Sequence, residues 1–158
     1  MYNPHTVSLV TVTEGRDGTT EQAVTYLEGV FLDDSHGTMV NKSRLDVNMV
    51  GLYPKDEATL YIPLKQVKAT DAETGKPKKY CEVYEYDQKE DKENYWTAFP
   101  GGKISSRDCF FVKGKVNPST MLDYAAMNRA GIPVYHTSSV IMRDYGISID
   151  PYLQVGGQ

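Results

Sequence analysis

Short runs of β-branched and aromatic residues, each stopped by a glycine, a proline or a polar turn, recur along this chain and restrict it to a mainly β fold. Residues 6–12 alternate, with Val7 and Leu9 on one face and Val10 and Val12 on the other. A polar stretch containing Asp17-Gly18, a hairpin signal, leads to a second strand over residues 23–32. Gly29 interrupts that strand and marks a bulge or a close backbone approach. Over residues 58–64, Leu60, Ile62 and Leu64 face one side, and Thr59 and Tyr61 the other. Pro63 has no N–H to give a ladder, so this strand lies at an edge or ends near that residue. Further strands are expected at 80–86, 95–99 and 109–116. Residues 134–143 read as one bent strand or two short ones. The charged run 87–94 reads as a short exposed helix or turn, and residues 33–48 show no clean period.

One segment has a helix signature. Asn117 is suited to the N-cap and Pro118 to the first helical position. Met121, Leu122 and Ala125 make a partial apolar face, Gly131 is a natural stop, and Pro133 bars continuation. No repeat or low-complexity linker divides the 158 residues, which are expected to form a single domain, 1–158. The expected architecture is a partly open β-barrel or a β-sandwich with one short helix at about 118–130 packed against it.

Candidate chemistry is sparse. None of the three histidines, His5, His36 and His136, stands in a metal-binding spacing such as HExxH. His136 and Ser138 can share a strand face, but no GxSxG elbow accompanies them, and a nucleophile also needs an orienting group and an oxyanion site. The carboxylates cluster in wet, lysine-bearing runs, which does not separate their pKa values for acid–base work. Gly101-Gly102-Lys103 lacks the spacing of a phosphate loop. Cys81 and Cys109 are too few and too isolated for a disulfide framework or a thiolate zinc site, and read as two thiols in a reducing compartment, although a single bridge between them stays open. The expectation is therefore no enzyme activity, no cofactor, no metal and no small-molecule substrate. No apolar run has the length of a membrane helix, and no signal peptide is visible.

A net charge of −4 gives no general pull toward nucleic acid. The alternative to a protein-binding role is nonetheless a single-stranded nucleic-acid-binding barrel. It would stack bases on Tyr80, Tyr84, Tyr86, Tyr95, Trp96, Phe110 and Phe111, with Lys79, Lys113 and Lys115 meeting phosphates. The acidic run 87–94 opposes that arrangement.

Three segments carry a family resemblance. The opening YNPHTVSLVTVTEGRDGTTEQAVTYLEGVFLD, the middle LYPKDEATLYIPLK with YWTAFPGGKISSRDCFFVKG, and the closing IMRDYGISIDPYLQVGG resemble uncharacterised minor structural proteins of phage and prophage head-to-tail modules, of the head-closure or neck type. The closing segment departs from the pattern: a histidine–tryptophan pair is expected before the final VGG, where this chain has Tyr152-Leu153-Gln154. The resemblance implies a β subunit acting in a head–tail connector or as a minor capsid component, with other copies of itself in a ring and neighbouring phage structural proteins as partners. It places the protein in the host cytoplasm during assembly and then in the virion. Together with the tyrosine-rich strands, it singles out Asp33, Asp34, Arg44, Tyr53, Tyr61, Tyr95, Trp96, Tyr152 and Leu153 as a candidate assembly surface, and residues 33–57 and 71–79 as candidate assembly loops.

Overall fold

A computed structural model of the protein describes residues 3–14, 20–34, 58–98, 100, 109–119, 122–144, 146 and 150–158. The alternating opening sequence forms β1 (His5–Glu14), which pairs antiparallel with β2 (Thr20–Asp34) along its whole length. β3 (Ala58–Pro63) and β4 (Lys68–Asp71) lie end to end along the other edge of β2. β7 (Phe110–Lys113) flanks β1, β8 (Val134–Arg143) flanks β7, and β9 (Tyr152–Gly157) fits between β8 and β3. The order β1-β7-β8-β9-β3-β2 returns to β1, so six antiparallel strands close a barrel and β4 is an extra strand on β2. The mainly β reading holds. Of the two expected architectures the barrel is the one formed, and it is closed rather than partly open, because the last strand fills the gap between β3 and β8.

Gly29 makes closure possible. Its φ of +84° lies in the left-handed region, and the β1–β2 register slips beside it, between His5 and Thr6. The extra residue shifts the alternation, so Leu27, Val30 and Leu32 all face the interior. At the same point β2 changes neighbours, from β4 at Thr25–Glu28 to β3 at Phe31–Asp34. Pro63 ends β3, as its missing N–H predicts. β8 is one strand bent by a register shift between Thr137 and Ser139: its first part pairs with β7 and the remainder with β9.

The barrel interior holds Val7, Leu9, Leu27, Val30, Leu32, Leu60, Ile62, Phe111, Tyr135, Leu153 and Val155, among others. Large and small residues alternate around one end of it. Phe111 and Tyr135 pack with ring centroids 5.5 Å apart, and the space for them comes from Ala58 and Gly157, which are paired across β3 and β9. A Cβ on Gly157 would lie 2.6 Å from Phe111 Cζ and 2.7 Å from Tyr135 Cβ. From β8 the Tyr135 hydroxyl reaches β2 and donates to Asp34 Oδ2 at 3.0 Å.

A second apolar layer lies outside the barrel. Val10, Val24, Phe110, Val112 and Val134 are covered by α2 (Tyr124–Arg129) through Met127, with Val116, Leu122 and Tyr124 around it. The helix begins later than the sequence predicts. Asn117 Oδ1 does accept from the backbone N–H of Ser119, but in a local turn rather than at a helix start. The Gln22 side-chain amide then takes both backbone groups of Leu122, accepting from its N–H at 2.8 Å and donating to its C=O at 3.0 Å, which denies them to helix hydrogen bonds. Asp123 is the N-cap, its carboxylate accepting from Ala125 N–H. Gly131, at φ +80°, ends the segment as expected.

The strand expected at 80–86 is corrected. β5 (Lys79–Tyr80) is followed by α1 (Val83–Gln88), a single turn at Lys92–Asn94, and β6 (Tyr95–Trp96), which pairs parallel with β5. Val83 and Tyr86 are three apart and share the sheltered face, whereas Tyr84 is 67% exposed. This unit docks on the barrel through Trp96, Ala98, Tyr80 and Val83.

Candidate assembly surface

The outer face of β2, β3 and β9 has a different character from the face under α2. Alternation sends Leu32, Leu60, Ile62 and Leu153 inward and Phe31, Tyr61 and Tyr152 outward. Ring contacts then run across four strands: His5–Phe31 at 5.4 Å, Phe31–Tyr61 at 6.1 Å and Tyr61–Tyr152 at 6.1 Å. Each pair lies within the range of favourable aromatic contacts. His5 is fixed by its Nδ1, which accepts from Leu32 N–H at 3.0 Å. β8 extends the row with Arg143, in register with Tyr152, and Ile141, in register with Gln154. Phe31, Tyr61 and Tyr152 are half-buried and lie in neither core, and Ile141 is 39% exposed.

The candidate residues separate accordingly. Tyr61 and Tyr152 meet in this row. Asp33 is exposed at the end of β2, opposite Thr59. Asp34 is its neighbour, but its carboxylate is the acceptor for Tyr135. Tyr95 is half-buried under the Lys89 ammonium, 4.6 Å from its ring centre. Trp96 and Leu153, only 3% and 1% exposed, are corrected from surface to core: Trp96 packs on Tyr80 at 5.0 Å, and Leu153 points into the barrel. Arg44 and Tyr53, with most of the loop 33–57, lie outside the described residues. The loop 71–79 is tightly organised. Asp71 accepts from the Thr74 backbone and hydroxyl and is paired with Lys78 at 3.1 Å. Sequence reasoning missed Phe31, His5 and Ile141, because only strand register places them beside Tyr61.

The same geometry bears on the other chemistries. Of the seven aromatics considered for base stacking, Tyr86, Trp96, Phe110 and Phe111 are buried, so they offer no open platform. Lys115 is paired with Glu28 at 2.6 Å. The His136 ring stacks on Tyr124 at 3.5 Å, and Thr137 points into the barrel. Cys81 and Cys109 are buried free thiols, and burial, reinforced by Glu85, pushes the Cys81 thiol up, away from the reactive thiolate. Among the described residues no three metal-ligating side chains gather. No described helix is long and apolar enough to cross a membrane.

Comparison with known protein families, with curated proteins and with solved structures finds no match.

Proposed function

We propose that this chain is a phage or prophage virion structural protein, a head–tail connector, neck or minor capsid component that acts through protein–protein assembly. The observation that carries the reading is the asymmetry of the barrel exterior. One face is covered by α2 and its apolar contacts, whereas the other presents the row His5, Phe31, Tyr61 and Tyr152 with Ile141 and Arg143 beside it. Tyrosine, phenylalanine and arginine on a rigid sheet are the residue types that protein interfaces concentrate, because they bury much area and lose little conformational freedom. The sequence resemblance to head–tail module proteins supports the same reading and supplies the partners: further copies of the chain and neighbouring virion proteins. Deleting the gene from an inducible phage and imaging the products by electron microscopy tests the proposal. Unjoined heads and tails, or particles lacking a minor capsid feature, are expected, and a full yield of normal infectious virions overturns it.

A further inference from the structure

The β1–β2 ladder ends on a side chain. Its register slips beside Gly29, runs on to His5 opposite Val30, and stops there. Two residues further along β2, the backbone N–H of Leu32 donates to the His5 imidazole, at 3.0 Å from Nδ1. Leu32 is only 3% exposed and belongs to the barrel interior, where a backbone N–H needs an acceptor. The imidazole thus supplies the last rung between the start of β1 and the part of β2 that carries Phe31.

An imidazole can fill this place in one protonation state only. Nδ1 accepts through its lone pair when the ring is neutral and carries its proton on Nε2; in the imidazolium both nitrogens are donors, and Nδ1–H would face the Leu32 N–H. Histidine is the side chain whose charge ordinarily changes between about pH 5 and 8. The same ring begins the outer row, 5.4 Å from Phe31. A positive ring is attracted to an aromatic face, but at a partly exposed site that attraction is weaker than the penalty for an interior amide left without its acceptor. Among the described residues, the charged groups on the elements around His5 are Glu28, Asp33 and Asp34 on β2, Lys113 and Lys115 at and beyond the end of β7, and Lys65 in the turn after β3; Tyr61 is the titratable group on β3. Glu28 is paired with Lys115 and also feels Lys68 of β4, Lys65 is paired with Asp150, and Asp34 accepts from Tyr135. The two signs balance in this group, so the hydrogen bond decides.

We infer that His5 is a proton-sensitive rung that makes the outer row a pH-responsive surface. Neutral, it closes the β1–β2 ladder at Leu32 and offers the row an uncharged ring. Protonated, it gives up the rung and places a positive charge at the end of the row. The rung contributes to the fold while the ring is neutral, and that contribution is lost as pH falls. A partner docked on the row therefore meets a different end of it above and below this transition. The device belongs to the chain itself, so its test does not depend on the proposed virion role, and the two can fail separately.

Nuclear magnetic resonance on the full, isotope-labelled chain tests it. At about pH 8 the His5 ring should show an unprotonated Nδ1 and a protonated Nε2. Between about pH 8 and 5, exchange of the Leu32 amide, corrected for its intrinsic rate, should become about tenfold faster, with less than about threefold change at Leu9 in the middle of β1. The Phe31 ring signals should move over the same range, and those of Tyr135 in the barrel interior should not. His5→Gln supplies a carbonyl acceptor that does not titrate, and should keep Leu32 protected at both ends of the range. His5→Phe keeps a ring without an acceptor, and should leave the Leu32 amide fast throughout. The inference is overturned if the neutral ring carries its proton on Nδ1, if Leu32 is equally protected at both pH values in the parent, or if His5→Gln loses that protection as the parent does.

Discussion

Gly157→Ala adds one methyl group at the point where the barrel is tightest. The new Cβ would stand 2.6 Å from Phe111 Cζ, 2.7 Å from Tyr135 Cβ and 2.9 Å from Phe111 Cε1. The Phe111 ring is fully buried and Tyr135 is 1% exposed, so neither has a free direction in which to move. Tyr135 Cβ is fixed to its backbone, and Gly157 is itself held by pairing with Ala58 on one side and Thr137 on the other. Overpacking a core typically costs about 1–3 kcal/mol, and a site unable to relax belongs at the upper end, about 3 kcal/mol. With an unfolding entropy of ~2.1 cal/mol/K per residue over a chain of this length, that lowers Tm by roughly 9 °C. Thermal and urea unfolding followed by circular dichroism measure it. In a Phe111→Leu background the added methyl should cost less, because two of the three close contacts disappear, and a double-mutant cycle should show coupling of at least ~1 kcal/mol. A Gly157→Ala protein within about 0.5 kcal/mol of the parent, or a cycle without coupling, would refute β9 packing over this ring pair and with it the closure of the barrel by the last strand.

Three further outcomes follow from the same geometry. Tyr135→Phe removes the hydrogen bond to Asp34 across the barrel and should cost about 1.5 kcal/mol by urea denaturation, as expected for a bond to a carboxylate. Asp71 is acted on by burial, which raises its pKa, but hydrogen bonds from Thr74 and Lys78 and the Lys78 charge outweigh that and leave it below 3.8. A depressed carboxyl stabilises the fold above its unfolded pKa and loses that contribution as pH falls through its folded value. Acid titration should therefore show a stability loss at low pH that is reduced in Asp71→Asn, while at neutral pH Asp71→Asn should cost ~2 kcal/mol by leaving the buried Lys78 ammonium without its counter-charge. Tyr61→Ser and Tyr152→Ser should each cost about 1–2 kcal/mol, since both rings are half-buried in aromatic contacts on the outer face, and should leave the barrel folded. In a complementation assay each should nonetheless lower the yield of joined particles.

The hairpin β1–β2, the bulge at Gly29, the end of β3 at Pro63 and the stop at Gly131 were legible because each depends on local chemistry: alternation, a positive φ, a missing N–H. Closure was not. β9 reads as a weak strand ending in two glycines, and its glycine is demanded by Phe111 and Tyr135, far away in sequence. α1 was hidden because Cys81, Val83 and Tyr86 suit more than one period, and only docking of Val83 against the barrel, with Tyr86 buried on the same face of the turn, decides for the helix. At 117–123 a true capping residue, Asn117, made a turn because the Gln22 side chain holds Leu122 from a distant strand. The aromatic row was half legible. Tyr61 and Tyr152 were singled out, but Trp96 and Leu153 turned inward, and Phe31 joins only through the β2–β3 register.

The proposed role requires that this barrel be built into a phage particle. Quantitative mass spectrometry of density-purified virions, with the portal protein as the internal reference, tests it most directly. Peptides of this chain should be found at a constant ratio to the portal protein through successive purification steps. Their disappearance from both mature virions and assembly intermediates, while the protein remains abundant in the lysate, would contradict it.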